Sequence, residues 1–476
     1  MSVARRLPVR EKVLCALLVL SVSLGSIMNL GGVTTSQRAL VLAVLLVGTI
    51  LALPGGRLRT TFGRATAVCA FVACAAVSYL RFAAAPIAPI GARTMIGLAL
   101  MLMIVTAFAF CALLAPADAL TRQRRLLCAL FSPVCFVALD LGLYIVGFSF
   151  PNSQSEIKEK NGSAQLLSLI GIHTSRVSDL PLSPGLNGTG EAAALALVIC
   201  AVLAYRSRGR LRLVSLVGVP MSFTVILLTD SRGPLAYALL ALIILTFLPR
   251  WARRTVAILP LLLPIAPAVI LFVVGHLGSL SETLNRNPGN GSFATATGRS
   301  KIWSIVAQFL SHPHAEDLIG YGAYGQVRSG VGYQYAYLFS YAEHPVFNGV
   351  HNIALQTILD MGYIGLALFL IFLVVAVNSA RVSYQRTDTP ESAALLAALI
   401  ALSLFGASEA LPGLAGIDLL ISAIVLACAA IRMPASARLR PTSADHALAP
   451  YRTTNAPRMS ATPQTLARCL RRIGLA

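Results

Sequence analysis

His351 and Asn352 stand where a polar segment rich in His and Gly gives way to an apolar run, in EHPVFNGVHNIALQTILDMGYIGLALFL, residues 343–370. A histidine can take a proton from a hydroxyl near neutral pH, so a histidine at a membrane surface is a first candidate for proton-transfer chemistry. The plainer alternative is an interfacial histidine that only helps to start a helix. Two arginines share the surroundings such chemistry needs: Arg232 in TDSRGP and Arg299 in TGRSKIW. Guanidinium groups bind phosphate oxygens through paired hydrogen bonds and keep their charge, which suits a lipid-linked phosphate or diphosphate. Isolated arginines at a membrane edge more often snorkel to headgroups. These two stand instead in turn-forming, weakly apolar motifs.

Carboxylates form a second tier. Asp140 and Asp360 fall inside apolar segments, and Glu191, Glu409 and Asp418 fall near segment ends. Carboxylates at membrane depth are costly and face an interior or a cavity. Glu191, Asp360 and Glu409 could therefore orient an arginine or the histidine; the structural alternative is an internal ion pair or a helix-end hydrogen bond.

The elements that must position these groups are membrane helices. With 57% hydrophobic and 12% charged residues and a mean hydropathy of +0.76, the chain departs from soluble domains, in which roughly a quarter of residues are charged. Apolar stretches recur at intervals of about 20 to 30 residues, which suits an all-α polytopic integral membrane protein of about twelve transmembrane helices better than an outer-membrane barrel. The expected spans are 13–31, 39–53, 65–80, 94–115, 127–150, 189–205, 213–229, 234–248, 255–275, 353–378, 392–408 and 417–431. The first is read as a retained helix, since no A-x-A-like cleavage site follows it. Most of the 38 Lys and Arg fall in alternate connections, at RRLPVREK, GGRLRTTFGR, TRQRR, RSRGRLR and PRWARR, at Arg381 and Arg386, and in the tail from Arg432. By the positive-inside rule these are cytoplasmic, as are both termini. One large extracytoplasmic segment, 276–350, then separates helices nine and ten. Domain organisation follows: a transmembrane domain over 1–431, and a basic tail over 432–476 whose Pro, Ser, Thr and Ala content predicts disorder.

The net charge of +20 thus reports orientation and anionic membrane lipids, and leaves little for nucleic acid. The nine cysteines show neither a disulfide framework nor metal-ligand spacing, and no metal or cofactor is expected. A long amphipathic stretch, with Ile302, Ile305, Val306, Phe309 and Leu310 at helical spacing, is expected to lie on the membrane or over the bundle. Glycines 320, 322 and 325 in IGYGAYG predict tight turns or close backbone approach.

TDSRGP followed by an apolar span, then TGRSKIW, then SHPHAEDLIGYGAYG, then VHNIALQTILDMGYIGLALFL resembles, in order and separation, the core of the O-antigen ligase and polymerase family of bacterial membrane glycosyltransferases. The likeness covers about residues 213–378. It implies a fold of about twelve helices with an outer lobe, and transfer of a glycan from an undecaprenyl-diphosphate carrier to an acceptor hydroxyl without metal or nucleotide sugar. The acceptor would be a glycan, a lipid A core or another hydroxyl, met at the outer face of the bacterial cytoplasmic (inner) membrane. On that pattern Arg232 and Arg299 match the arginines that hold the donor diphosphate, and His351 matches the residue that activates the acceptor. Pro234, directly after Ser-Arg-Gly, departs from the bulkier residue expected there, yet suits a first helical turn. Ligase and polymerase share these residues. A protein-directed oligosaccharide transferase would carry a larger soluble C-terminal part. The alternative from another class is a transporter or flippase of lipid-linked oligosaccharides, which would need a midplane site and often shows two related halves; the polar motifs here gather at one face and no repeat is visible.

The charge distribution makes a direct prediction. A reporter fused after Arg210 or Arg254 will be cytoplasmic, and one inserted near Gly289 external. A cytoplasmic Gly289 reporter would put the arginines and His351 on the wrong side for an outer-face reaction.

Overall fold

The computed structural model describes residues 8–28, 33–53, 62–148, 177, 180–182, 186–247, 252–276, 299–339, 344–408 and 417–432. Glu409, positions 297–298, most of the 151–188 connection and the tail beyond 432 lie outside the described residues.

All regular structure among the described residues is helical. The helices are α1 (Val9–Ile27), α2 (Thr35–Ala52), α3 (Phe62–Ala84), α4 (Ala92–Leu114), α5 (Ala119–Ile145), α6 (Leu186–Arg206), α7 (Gly209–Thr229) and α8 (Arg232–Phe247). A 3-10 segment, Ala252–Ile265, leads into α9 (Ala266–His276), followed by α10 (Arg299–Leu310) and two single-turn helices, α11 (Gly325–Arg328) and α12 (Val331–Tyr335). Then come α13 (Ile353–Thr387), α14 (Pro390–Phe405) and α15 (Ile417–Arg432). Each apolar run read from the sequence coincides with helix. Among the described residues, seven helices are long and apolar enough to cross a membrane, and Arg232–Phe247, Thr255–Ile270, Pro390–Phe405 and Ile417–Ile431 are shorter apolar helices.

The differences lie at the ends and at prolines. The fifth segment begins at Ala119, two turns before the expected 127, because the Asp118 carboxylate accepts from the Thr121 N–H (2.6 Å) and caps it. Those turns carry Arg125, which is buried and satisfied by Glu11 of α1 (Nε to Oε2, 3.0 Å) and by the Ala112 carbonyl (2.6 Å). The ninth segment is largely 3-10, with Pro260 and Pro264 inside it; proline removes helical N–H donors.

Helices α6, α14 and α15 form the centre. In α6 89% of the spanning window is buried, against 22% in α2 and 28% in α7, whose outer faces carry bare Val and Leu side chains. Lipid tails are as apolar as leucine, so close packing rather than apolarity decides which helices meet. The sequences EAAALALVICAVLA in α6 and ESAALLAALIALSLF in α14 supply small side chains for that contact. Small residues recur at the crossings: a Cβ at Gly25 would strike Ile421, one at Gly48 would strike Leu17, and one at Gly218 would strike the Cys200 sulfur.

The tenth apolar run differs most. Helix α13 is broken at Gly362, whose φ of 72° and ψ of −175° lie in a region that only glycine occupies readily. The break strands the Leu359 and Asp360 carbonyls, and the 320s loop fills them: Tyr321 N–H donates to Leu359 O (2.7 Å) and Gly322 N–H to Asp360 O (3.0 Å). Ser78 of α3 donates to Asp360 O as well (3.1 Å) and accepts the Ala323 N–H on its own carbonyl (3.0 Å). A side chain at Gly320 or Gly325 would run into this backbone, as the glycine run predicts. The half after Gly362 spans about 37 Å at 1.5 Å per residue, so it can cross about 30 Å of hydrocarbon alone. Ile353–Met361 is therefore not needed for a crossing and is the part of α13 that the 320s loop bonds.

Gly362→Ala is expected to destabilise the protein by on the order of 3 kcal/mol, through a forbidden backbone conformation and a collision with the Leu318 carbonyl. Thermal melting in detergent measures it; melting together with the native protein would mean that α13 can straighten at no cost.

Candidate functional site

Arg232 is positioned by the end of α7. Asp230 takes the left-handed conformation (φ 49°) after the helix. Its N–H bonds Leu227 O (3.2 Å) and the Ser231 N–H bonds Ile226 O (3.1 Å), closing the helix as glycine usually does. The Asp230 side chain is fully buried and takes two contacts from Arg232, Nη2 to Oδ2 at 3.2 Å and Nε to Oδ1 at 3.4 Å. A buried carboxylate thus fixes the orientation of a guanidinium that keeps 24% of its own surface. Pro234 in the first turn of α8 lets that helix start directly behind the arginine. Helix α6 closes on this turn: a Cβ at Gly190 would overlap the Ser231 hydroxyl, which is paired with Thr229 Oγ1 at 2.8 Å. Glu191, the next residue and 3% exposed, is therefore buried beside the Arg232 turn.

His351 is held from both sides. On one side, the Val350 N–H donates to Gln356 Oε1 (3.0 Å) and Val350 O accepts from the Trp303 indole (3.0 Å). On the other, buried Asn352 caps α13 by accepting the Leu355 N–H (3.0 Å), and its amide donates to Ala407 O (2.9 Å). The Ile353 N–H donates to Gly406 O (3.0 Å). Between these anchors His351 itself is left-handed, φ 54°, a conformation that costs about 1–3 kcal/mol and persists only where neighbours impose it. Its half-exposed ring lies beside Phe339, centroids 6.0 Å apart.

Asp360 does not approach the arginine turn in its hydrogen bonds. Its Oδ1 accepts from Gly325 N–H (2.7 Å) and from Gln356 Nε2 (2.8 Å), and Gln356 Nε2 also donates to Gln326 Oε1 (2.8 Å). Because Gln356 holds the Val350 N–H, Asp360 acts on His351 through one intervening side chain.

Three further contacts bring the parts to one place. The turn after α14, Gly406 to Ser408, bonds the residues that follow His351, and it also faces Gly233, whose Cβ position lies 4.0 Å from Ser408 Oγ. Arg232 and His351 therefore flank the same turn. Arg299 begins α10 and lies about 6 Å along that helix from Trp303, the residue that bonds the peptide before His351. The amphipathic face of α10 packs Ile302, Trp303 and Val306 against Val331, Tyr335, Phe339 and Val350, so this helix lies over the segment that carries the histidine.

The sequence pattern missed Asp230, Trp303, Gln326 and Gln356 as parts of the site. Asp230 had a signal, standing two residues before Arg232; Gln356 had one as a polar residue in an apolar run. Gln326 and Trp303 had none.

Residues 217–370 match the family model described as O-antigen ligase. No curated protein matches the chain. The matched segment holds Arg232, Arg299, His351, Asn352 and Asp360, while Glu191 and the turn at Gly406 lie outside it.

Gln356→Ala would leave the Val350 N–H and the Asp360 carboxylate short of partners. Hydrogen exchange over residues 348–356 should speed up by roughly 10- to 100-fold, the equivalent of about 1–3 kcal/mol. Unchanged exchange would remove Gln356 and Asp360 from any part in holding His351.

Proposed function

We propose that the chain, which residues 217–370 assign to the O-antigen ligase and polymerase family, transfers a glycan from undecaprenyl diphosphate to an acceptor hydroxyl. The reaction takes place at the extracytoplasmic face of the cytoplasmic membrane, in a chain that crosses it about twelve times. The observation that carries this reading is the convergence on the 406–408 turn of a guanidinium aligned by a buried aspartate and a histidine held in a left-handed conformation.

In the proposed reaction the imidazole of His351 takes the proton of the acceptor hydroxyl as that oxygen attacks the anomeric carbon. The new glycosidic bond forms while the bond from that carbon to the diphosphate breaks, so undecaprenyl diphosphate leaves with the electron pair and the anomeric centre inverts. Charge on the leaving diphosphate grows in the transition state, and Arg232 and Arg299 would stabilise it there. Asp230 supports this role, because a preset guanidinium needs no reorganisation when the charge develops. Asn352 and the Gln356–Asp360 pair would fix the direction of the imidazole. Glu191, beside the arginine turn, would balance the charge of Arg232 before donor binds.

Purified protein with a defined lipid-linked donor and acceptor tests the assignment. His351→Ala should bind donor as the native protein does, and single-turnover transfer should fall by about 10²-fold or more. Arg232→Lys and Arg299→Lys should instead weaken donor binding and transfer together, since an ammonium lacks the planar fork. Lysine is the better replacement at position 232, because it keeps a cation next to the buried Asp230 carboxylate. If His351→Ala lost donor binding as completely as transfer, the histidine would be a structural or phosphate-binding residue, and the base would have to be sought among Glu191, Glu409 and Asp360.

A further inference from the structure

An apolar recess lies away from this site, between α1, α5 and α7. It encloses about 450 Å³ and is lined by Val19, Phe131, Val134, Cys135, Val217 and Met221 with their neighbours, almost without polar atoms. Val217 is 64% exposed by Val214 at 55%, so the recess is a groove open on the side where the bundle faces lipid. Its residues on α7, Val214 to Met221, lie about 14 to 24 Å in helix length before Asp230.

Each of the three helices carries a cation in line with its groove residues, at the same end. On α7, Arg210 stands four residues before Val214, on the face of Val214, Val217, Gly218 and Met221. On α5, Arg124 stands three and four residues before Leu127 and Cys128, both in the groove wall. On α1, Lys12 stands seven residues before Val19. The carboxylates near this end are engaged: Glu11 is bound by Arg125, Asp118 caps α5 through Thr121, and Glu391 accepts from Gln123 of α5 (2.9 Å). Positive charge is thus in excess at the foot of an apolar groove.

We propose that this groove binds a phospholipid with an anionic headgroup, its acyl chain along α5 and α7 and its phosphate held by Arg124, Arg210 and Lys12. The site is separate from the glycan-transfer site and does not depend on that assignment. A cation in water attracts an anionic surface weakly and in every direction. Three from different helices, at the mouth of one chain-sized recess, select for a charged head and a tail together.

The test is native mass spectrometry of the detergent-purified full chain with equimolar phosphatidylglycerol and phosphatidylcholine. The native protein should retain the anionic lipid in preference by on the order of tenfold, and Arg124→Gln with Arg210→Gln should abolish the preference. Val217→Trp, which fills the groove from an exposed position, should lower retention of both lipids. Arg386→Gln, a cation at the end of α13, should leave the preference intact. Equal retention of both lipids by the native protein, a preference that survives the double substitution, an equal loss in Arg386→Gln, or native-like retention by Val217→Trp would each overturn the proposal.

Discussion

The break at Gly362 is the constraint on which the outer part of the molecule depends. A continuous α13 would satisfy its own carbonyls and offer the 320s loop nothing to bind. Broken, it presents the Leu359 and Asp360 carbonyls, and the N–H groups of Tyr321 and Gly322 occupy them. Unpaired backbone groups away from water cost several kcal/mol, so each side of the contact needs the other. The loop's glycines follow from the same demand, since their backbone approaches that of α13 too closely for side chains. Arg81 of α3 adds a hydrogen bond to Gly320 O (2.6 Å) and Arg328 one to Phe82 O (3.1 Å), tying the segment to the rim of the bundle.

What this joint fixes is the short first half of α13 and, through it, His351. Gln356 and Asp360 stand on that half, one helical turn apart, and reach both the loop through Gly325 and the peptide before His351 through Val350. Two strained residues then mark the two sides of the site, Asp230 behind Arg232 and His351 itself. Left-handed backbone at a non-glycine residue is stable only where several contacts impose it. Both cases have such contacts: a closed helix end at Asp230, and at His351 a set of bonds on each side, to α10 and Gln356 before it and to the 406–408 turn after it.

Charge is handled differently at the two ends of the bundle. At the end that carries the site, Arg232 is aligned by a buried carboxylate and stays partly open. At the other end, Arg125 and Glu11 are buried together, Arg206 reaches Asp388 (2.7 Å) and Tyr384 (2.9 Å), and Arg124 and Arg210 stand one helical turn before residues that line the α1, α5 and α7 groove. Burying an ion pair yields little net stability. Its effect here is to fix helix ends against one another.

The sequence by itself determined that the chain is helical, where its apolar helices lie, and which motifs resemble the O-antigen ligase and polymerase family, a likeness the match over residues 217–370 supports. Apolar length and turn-forming residues are local properties, so they are legible in a single chain. The same holds for the glycines of IGYGAYG and for the face of α10, whose spacing alone required close approach and one-sided burial. Tertiary structure decided the rest. That Gly362 breaks α13 depends on a loop some forty residues earlier in the chain being present to fill the freed carbonyls. That Asp360 supports the peptide before His351, while Glu191 lies beside the Arg232 turn, depends on which helices meet. Both carboxylates looked equivalent in sequence, because a buried charge is costly wherever it sits, and only its partners reveal what it holds in place.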